Sequence, residues 1–153
     1  MRFLYYDRVI SIEKGRSIVG TKAFPLSEEF LRRHFTKKAI VPGVICLEAM
    51  AQLLGWLIIY SHDFKLSSIM SLVEGVRVPA GLRPGFSAEI HAELLSTSRR
   101  DSLGKARILV GGEEVASVER LIYSHVPNVD RSELIARFSY YSGISPESLM
   151  DKS

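Results

Sequence analysis

The hydrophobic pattern predicts one long apolar helix in the first half of the chain. Residues 44–59 (VICLEAMAQLLGWLII) are apolar except for Glu48 and Gln52. A segment that is apolar on all sides is typical of a helix buried in a protein core. Because proline suits the first helical position, the helix is predicted to begin at Pro42 or just after it and to end near Ser61.

β-branched residues on either side of Gly15 predict two strands ahead of this helix. Residues 7–14 and 16–24 are rich in valine, isoleucine and threonine, and the glycine between them favours a turn. Ser27, followed by two glutamates, is typical of a helix N-cap. We therefore expect a strand pair and then a short helix that leads the chain to His34.

The second half of the chain changes to the period of β-strands. Residues 69–78 are predicted to form a strand, and residues 86–94 alternate apolar and polar side chains as a half-buried antiparallel strand does. Residues 105–123 predict a long hairpin that turns at Gly111 and its neighbour. A long helix combined with antiparallel strands predicts an α+β fold in which a curved sheet covers the helix.

The composition shifts after Pro127. Asp130 is placed to cap a further helix and Gly143 to end it. We expect residues 1–127 to form the main domain and residues 128–153 to be a C-terminal helical extension of the same domain.

Composition indicates a single globular domain without dedicated nucleic-acid binding. The chain has 153 residues, of which 46% are hydrophobic and 24% charged, enough to bury one core. The formal net charge is +3, which favours an acidic partner or substrate. Nucleic acid is not expected as a partner, because the basic residues form only short pairs: Arg32-Arg33, Lys37-Lys38 and Arg99-Arg100.

The cysteine and histidine content argues against a metal site. The only cysteine, Cys46, allows no intrachain disulfide, which fits a reducing compartment. The four histidines show no spacing typical of metal ligands. We expect no metal and no cofactor.

The apolar helix is long enough to raise the question of a membrane span. Pro42 and Gly43 interrupt the apolar stretch, however, and Glu48 would lie near its centre, where an acidic residue costs about 2.5 to 3.5 kcal/mol. The N-terminus carries Asp7 too early for a secretory signal. We expect a core helix, no membrane span and a cytoplasmic protein.

A carboxylate on such an apolar helix requires an explanation, because burying a charge is costly unless the charge is paired or used in chemistry. Glu48 and Gln52 are four residues apart and therefore share one face of the helix. Glu48 is either a catalytic group or part of a structural ion pair, and the residues alone leave both open.

The segment HFTKKAIVPGVICLEAMAQ, residues 34–52, resembles the active-site motif HFPxxPxxPGVxxxEAxAQ of the bacterial 3-hydroxyacyl-[acyl carrier protein] dehydratases. The matching positions are His34-Phe35, Pro42-Gly43-Val44, Glu48-Ala49 and Ala51-Gln52. The resemblance covers roughly residues 3–124. It departs in the loop, where Thr36 and Ala39 replace two prolines and Arg33 stands where glycine is common.

The resemblance implies the hot dog fold, a long central helix wrapped by a curved antiparallel sheet, in dimers or trimers of dimers. His34 would remove the proton on C2 of a 3-hydroxyacyl thioester, and Glu48 would protonate the C3 hydroxyl as it leaves. The free N–H groups of Gly43 and Val44 at the helix start would bind the thioester oxygen. Gln52 would support the site by hydrogen bonding. The active site would lie at the dimer interface, where His34 of one subunit meets Glu48 of the other.

The implied substrate is a thioester of acyl carrier protein or coenzyme A. Arg33, Lys37 and Lys38 flank the proposed site, so they either attract the acidic carrier protein or form an ordinary solvated surface. Two other functions remain open. One is a non-catalytic hot dog protein that binds acyl thioesters, and the other is a hot dog thioesterase.

Overall fold

The computed structural model describes residues 4–28 and 38–150. Six strands and three helices follow one another in this part of the chain. They are β1 (Arg8–Glu13), β2 (Ser17–Phe24), α1 (Gly43–Ser61), β3 (Ser67–Arg77), β4 (Phe86–Thr97), β5 (Asp101–Val110), β6 (Glu113–Val126), α2 (Arg131–Ser142) and α3 (Pro146–Met150).

The strands form one antiparallel sheet with the order β1-β2-β4-β5-β6-β3. The sheet wraps α1, which contacts all five strands from β2 to β6. The predicted α+β class and the hot dog arrangement of a long helix inside a curved antiparallel sheet are confirmed. β1 and β3 lie at the two edges of the sheet, so each has one side without a neighbouring strand among the described residues.

Two glycines allow α1 to lie close to the sheet. A Cβ atom on Gly104 would lie 2.6 Å from Cδ2 of Leu54, and one on Gly20 would lie 3.0 Å from Cδ1 of Leu53. Leu53 and Leu54 are both fully buried. The leucine side chains of α1 therefore contact the backbone of β2 and β5 directly, and this close contact contributes to the dense packing of the core.

The apolar helix predicted from the sequence is present and lies in the core. α1 is long and apolar enough to cross a membrane by length and composition, and 56% of its most apolar window is buried inside the fold. The alternation predicted for β4 is also present: Ala88, Ile90 and Ala92 are buried, whereas Glu89 and Glu93 are exposed.

Several strands extend beyond their predicted ends because polar residues there are paired with one another. β4 continues to Thr97 and β5 begins at Asp101, joined by a tight turn in which Ser98 N donates to Asp101 O over 2.9 Å. β6 runs on to Val126. The short helix predicted from Ser27 falls largely on residues 29–37, which lie outside the described residues.

The C-terminal extension forms the predicted helix. The carboxylate of Asp130 accepts a hydrogen bond from Glu133 N at 3.2 Å, and Gly143 ends α2 with φ +79°. α2 contributes three buried side chains to the core cluster that also contains the buried residues of α1: Leu134, Ile135 and Phe138. α2 therefore packs on α1 and on the start of the chain.

Candidate active site

Glu48 lies in the second turn of α1 and is half-buried. Gln52, one turn later, donates a hydrogen bond from Nε2 to Oε1 of Glu48 over 2.9 Å. The amide oxygen of Gln52 in turn accepts a hydrogen bond from Tyr5 N over 2.9 Å. This second bond fixes the orientation of the amide, so the carboxylate of Glu48 faces a donor in a defined position.

Glu48 and Gln52 line a cavity of about 230 Å³. The rest of the wall comes from α1 and from two strands: Ala51, Gly55, Trp56, Ile59, Ser68, Met70 and Tyr123. Most of these side chains are apolar or small. The cavity thus joins one carboxylate to a largely apolar space, a combination that suits a ligand with a polar end and a hydrocarbon end.

Tyr123 braces the cavity from β6. Its hydroxyl donates to the carbonyl oxygen of Ala51 over 2.5 Å. Burial raises the pKa of Tyr123, and the nearby Glu48 raises it further. Burial followed by Glu48 also raises the pKa of Tyr5. Both phenols therefore stay protonated near neutral pH.

The start of α1 lies against the connection between β3 and β4. Val41 N donates to the carbonyl of Leu82 over 2.9 Å, which holds the residues just before the helix. A Cβ atom on Gly43 would lie 2.5 Å from Cγ2 of Val78, so only glycine fits there. The N–H groups of Gly43 and Val44 belong to the first turn, where N–H groups have no partner within the helix. The Val44 side chain is 68% exposed.

The structure brings together some of the site residues predicted from the sequence. Glu48 and Gln52 are in contact, and Gly43 precedes Glu48 by five residues, about 7.5 Å along the helix axis. Lys38 is exposed ahead of the helix. His34, Arg33 and Lys37 lie outside the described residues, so their predicted roles stay predictions.

Sequence reasoning missed the cavity residues contributed by the strands. Ser68, Met70 and Tyr123 come from β3 and β6, which pair with each other. Their proximity to Glu48 depends on sheet register, and no local spacing reveals it. The one available signal was the apolar alternation that places Tyr123 on the buried side of β6.

Cys46, which is also on α1, does not add to the site. Burial raises the pKa of Cys46 to about 11, so its thiol is neutral at pH 7, as its predicted role as a core filler requires. Within residues 4–28 and 38–150, no group of three or more histidine, cysteine or acidic side chains is placed to hold a metal ion.

Solved structures with the same fold include proteins of several activities. A dehydratase heterocomplex ApeI:P from Xenorhabdus doucetiae superposes with a TM-score of 0.66 at 15% identity, covering 89% of this chain and 90% of that one. The protein smu.793 from Streptococcus mutans, bound to acetyl CoA, gives a TM-score of 0.64 at 13% identity over 84% and 95%. A thioesterase, HI1161 from Haemophilus influenzae, gives 0.61 at 11% identity over 79% of each chain. At these identities the similarity concerns the fold.

Sequence comparison is more specific. Residues 1–119 match the FabA-like domain family. The 3-hydroxyacyl-[acyl-carrier-protein] dehydratase FabZ of Caldicellulosiruptor saccharolyticus is 35% identical over 120 residues, covering 78% of this chain and 86% of the relative. The enzyme of the same name from Pediococcus pentosaceus is 31% identical over 117 residues, covering 76% and 78%. The chain therefore belongs to the FabA-like family of hot dog proteins, together with these dehydratases.

Proposed function

We propose that the protein is a hydro-lyase that converts (3R)-3-hydroxyacyl-[acyl carrier protein] thioesters to trans-2-enoyl thioesters. The pathway would be fatty acid biosynthesis or a related lipid or polyketide pathway in the cytoplasm. The observation that carries this proposal is Glu48, a half-buried carboxylate held by Gln52 at an apolar cavity. Glu48 lies within residues 1–119, which match the FabA-like domain family, and the dehydratases named above are 31–35% identical to the chain.

The proposed reaction divides the proton transfers between two side chains. His34 takes the proton from C2, and the electrons of that C–H bond move toward the thioester carbonyl. The N–H groups of Gly43 and Val44 stabilise the negative charge that grows on the carbonyl oxygen. The electrons then form the C2=C3 double bond as the C3–O bond breaks, and Glu48 protonates the departing hydroxyl so that it leaves as water.

Gln52 has a positioning role in this scheme. Its hydrogen bond to Glu48 fixes one carboxyl oxygen, while its own oxygen is anchored by Tyr5 N. An amide neither gains nor loses a proton in this pH range, so Gln52 holds Glu48 without competing for the transferred proton. No metal or cofactor takes part in any of these steps.

We further propose that the active unit is a homodimer, alone or as part of a trimer of dimers. β3 is an edge strand whose exposed side chains include apolar ones: Ile69, Met70, Leu72 and Val76. An apolar edge strand favours pairing with another chain. Met70 also lines the cavity of Glu48, so a second copy at β3 would lie beside the site. His34 of that copy would then complete it.

The acyl group would arrive on acyl carrier protein, with the coenzyme A thioester as the alternative donor. The basic side chains of Arg33, Lys37 and Lys38 precede α1 and would attract an acidic carrier. Charge reversal at Lys37 and Lys38 is expected to raise the KM for carrier-bound substrate and to leave the KM for a pantetheine thioester unchanged. Equal effects on both substrates would show that these lysines do not bind the carrier.

The reaction itself is tested with purified protein and a 3-hydroxyacyl thioester, by following enoyl formation and free thiol release in parallel. Wild type is expected to form enoyl product, and His34→Ala and Glu48→Gln each to lose about 10²- to 10⁴-fold in kcat. Glu113→Gln, at the exposed tip of the β5–β6 hairpin, is the matched control and should keep full activity. Thiol release would instead indicate a thioesterase, and binding with neither product a non-catalytic acyl-thioester protein.

A further inference from the structure

The helix α2 lies outside the part of the chain that matches the FabA-like family. The match ends at residue 119, within β6, whereas α2 covers Arg131–Ser142. α2 is nevertheless built into the core, because Leu134, Ile135 and Phe138 are all buried. Because a protein core is close-packed, the buried side chains of α2 restrict the positions of the side chains that they contact.

Phe138 of α2 touches a wall of the candidate active site. Its ring is fully buried and stacks on the indole of Trp56, with centroids 5.0 Å apart and an interplanar angle of 24°. The ring of Phe64, in the turn that follows α1, lies with its centroid 5.9 Å from that of Phe138. Trp56 lines the same cavity as Glu48. The indole is therefore a partition between the cavity on one side and α2 on the other.

Trp56 is also held by the start of the chain. Trp56 packs against the buried core cluster that contains Tyr6. Burial raises the pKa of Tyr6, and Trp56 opposes this shift in part. Tyr6 is 1% exposed and cannot move aside without opening the core. Since Phe138 stacks on its indole, the position of Trp56 depends on the size of the side chain at residue 138.

Ile59 and Trp56 both line the part of the cavity that lies along α1 beyond Gln52, and Ile59 is the farther of the two from Glu48. Trp56 lines one side of this part. It follows Glu48 by eight residues on α1, a rise of about 12 Å, and Gln52 and Gly55 line the interval. In the proposed reaction Glu48 serves C3 of the substrate, so the remaining hydrocarbon must run along this interval. On the way it passes Trp56, and Ile59 lines the cavity three residues farther along α1.

We propose that α2 tunes the acyl-chain preference of the enzyme, with Phe138 holding Trp56 as a wall of the acyl cavity. The inference rests on the proposed function, because it assumes that the cavity takes the hydrocarbon of a 3-hydroxyacyl thioester. Phe138 is here a positioning residue, which acts on the substrate only through Trp56.

The test compares the kcat/KM of wild type and Phe138→Leu on 3-hydroxyacyl thioesters of increasing chain length. The smaller leucine lets Trp56 move toward α2, and each methylene newly buried is expected to raise the long-to-short ratio about fourfold, the equivalent of ~0.8 kcal/mol. Phe138→Met also replaces the flat ring by a smaller side chain, but methionine is flexible enough to fill an irregular gap, so this variant serves if the leucine variant does not fold. An unchanged ratio in a folded, active variant would overturn the inference.

Two controls separate this effect from lost stability. Tyr140→Ala changes a side chain of the same helix that is 77% exposed and should leave the ratio unchanged. Leu134→Ala removes a buried side chain elsewhere on α2 and should lower the melting temperature without the same shift in ratio. A shift of the same size in Leu134→Ala would assign the effect to general loosening and contradict the role of Phe138.

A binding measurement distinguishes failure of this inference from failure of the proposed function. Trp56 is the only tryptophan in the chain, so its fluorescence reports directly on the wall. Saturated acyl-pantetheine probes of increasing length should change the emission, and Phe138→Leu should shift the affinity optimum to longer probes. That shift without enoyl formation would support the inference and refute dehydration. If wild type neither binds nor dehydrates any thioester, both proposals fail.

Discussion

Two glycines of α1 differ in the space around them, and that difference decides the effect of replacing each one. At Gly43 an added Cβ would lie 2.5 Å from Cγ2 of Val78, closer than real atoms approach. At Gly55 it would lie 3.6 Å from both Ser68 Oγ and Tyr123 Cε1, an ordinary contact distance. The first position is therefore closed to a side chain, while the second can take a methyl group.

Gly43→Ala is expected to lower both stability and activity, because the helix start must move away from Val78. Overpacking of this kind costs about 1–3 kcal/mol, measured as the free energy of unfolding in urea. Val78→Ala removes the nearest atom, so the double variant should recover part of the loss. Gly81→Ala lies in the same β3–β4 connection with nothing within 4 Å of its Cβ, and this control should be neutral.

Gly55→Ala is expected to stabilise the protein while narrowing the cavity. Alanine is favoured over glycine within a helix by up to about 1 kcal/mol, which corresponds to a rise of ~2–4 °C in Tm for a domain of this size. The added methyl group occupies space beside Gln52 and Trp56, so kcat/KM should fall more for long acyl chains than for short ones. A drop that is equal for all chain lengths would place Gly55 away from the acyl path.

At the scale of secondary-structure elements, a chain of four hydrogen-bonding groups ties the end of α1 to the sheet. His62 Nε2 lies 2.7 Å from Thr97 Oγ1, Thr97 Oγ1 lies 2.7 Å from Ser102 Oγ, and Ser102 Oγ lies 2.7 Å from His125 Nε2. His125 Nδ1 faces the carbonyl of Arg99 at 3.1 Å and must therefore donate. Each hydroxyl consequently donates toward His125, and His62 donates to Thr97 while both rings are neutral.

The stability of this junction should depend on pH. Burial and the neighbouring His125 lower the pKa of His62, and Asp63 opposes them in part. The folded state therefore binds fewer protons than the unfolded state at pH values near this pKa. The contribution of His62 to the free energy of unfolding is full above the unfolded pKa of about 6.5, and it is lost as the pH falls below that value. The slope contributed by one group is at most ~1.4 kcal/mol per pH unit.

The substitution His62→Gln keeps a hydrogen-bond donor for Thr97 and replaces the imidazole by an amide that does not change charge in this pH range. Urea unfolding between pH 7.5 and pH 5, about the range in which histidine changes charge, should show a shallower loss of stability in the variant than in wild type. The two curves should run parallel above pH 7.5, where neither state protonates the ring. Parallel curves over the whole range would show that His62 does not set the pH dependence.

The elements show which structural features can be predicted from sequence. α1 was predicted to within a residue because its apolar run is long and Pro42 marks its start. β4 was recognised by its alternation, but its end at Thr97 was not, since Thr97 and Ser102 are polar and their pairing is visible only after folding. In the site, Glu48 and Gln52 follow from helical spacing. Tyr123, 75 residues after Glu48, is brought to it only by sheet register.

At the scale of the whole molecule, we propose that the active site is shared between two copies of the chain. The sheet leaves β3 open at its edge, with Ile69 60% exposed and Met70 reaching the cavity of Glu48. Pairing two such edges would extend the sheet across a two-fold axis, which places the same surface on both sides of the contact. Because β3 lies next to the cavity, this pairing would make activity depend on assembly.

Mixed dimers test this arrangement directly. His34→Ala and Glu48→Gln are each expected to be inactive alone, but a mixed dimer would combine both lesions in one site and leave the other site intact. Co-expression at equal levels should thus restore about a quarter of wild-type kcat, since half of randomly formed dimers are mixed and each has one complete site of two. The recovery should be absent when the two proteins are purified separately and mixed without subunit exchange.

Ile69→Lys supplies the matching control, because a charge on the edge strand opposes pairing. When Ile69→Lys is added to both inactive chains, sedimentation should show monomers and the recovery should disappear. If each active site were instead built from one chain alone, every site in a mixed dimer would carry one of the two substitutions. Co-expression would then restore no activity. Recovery in the co-expressed sample, lost with Ile69→Lys, therefore requires both that the active site spans two subunits and that β3 holds them together.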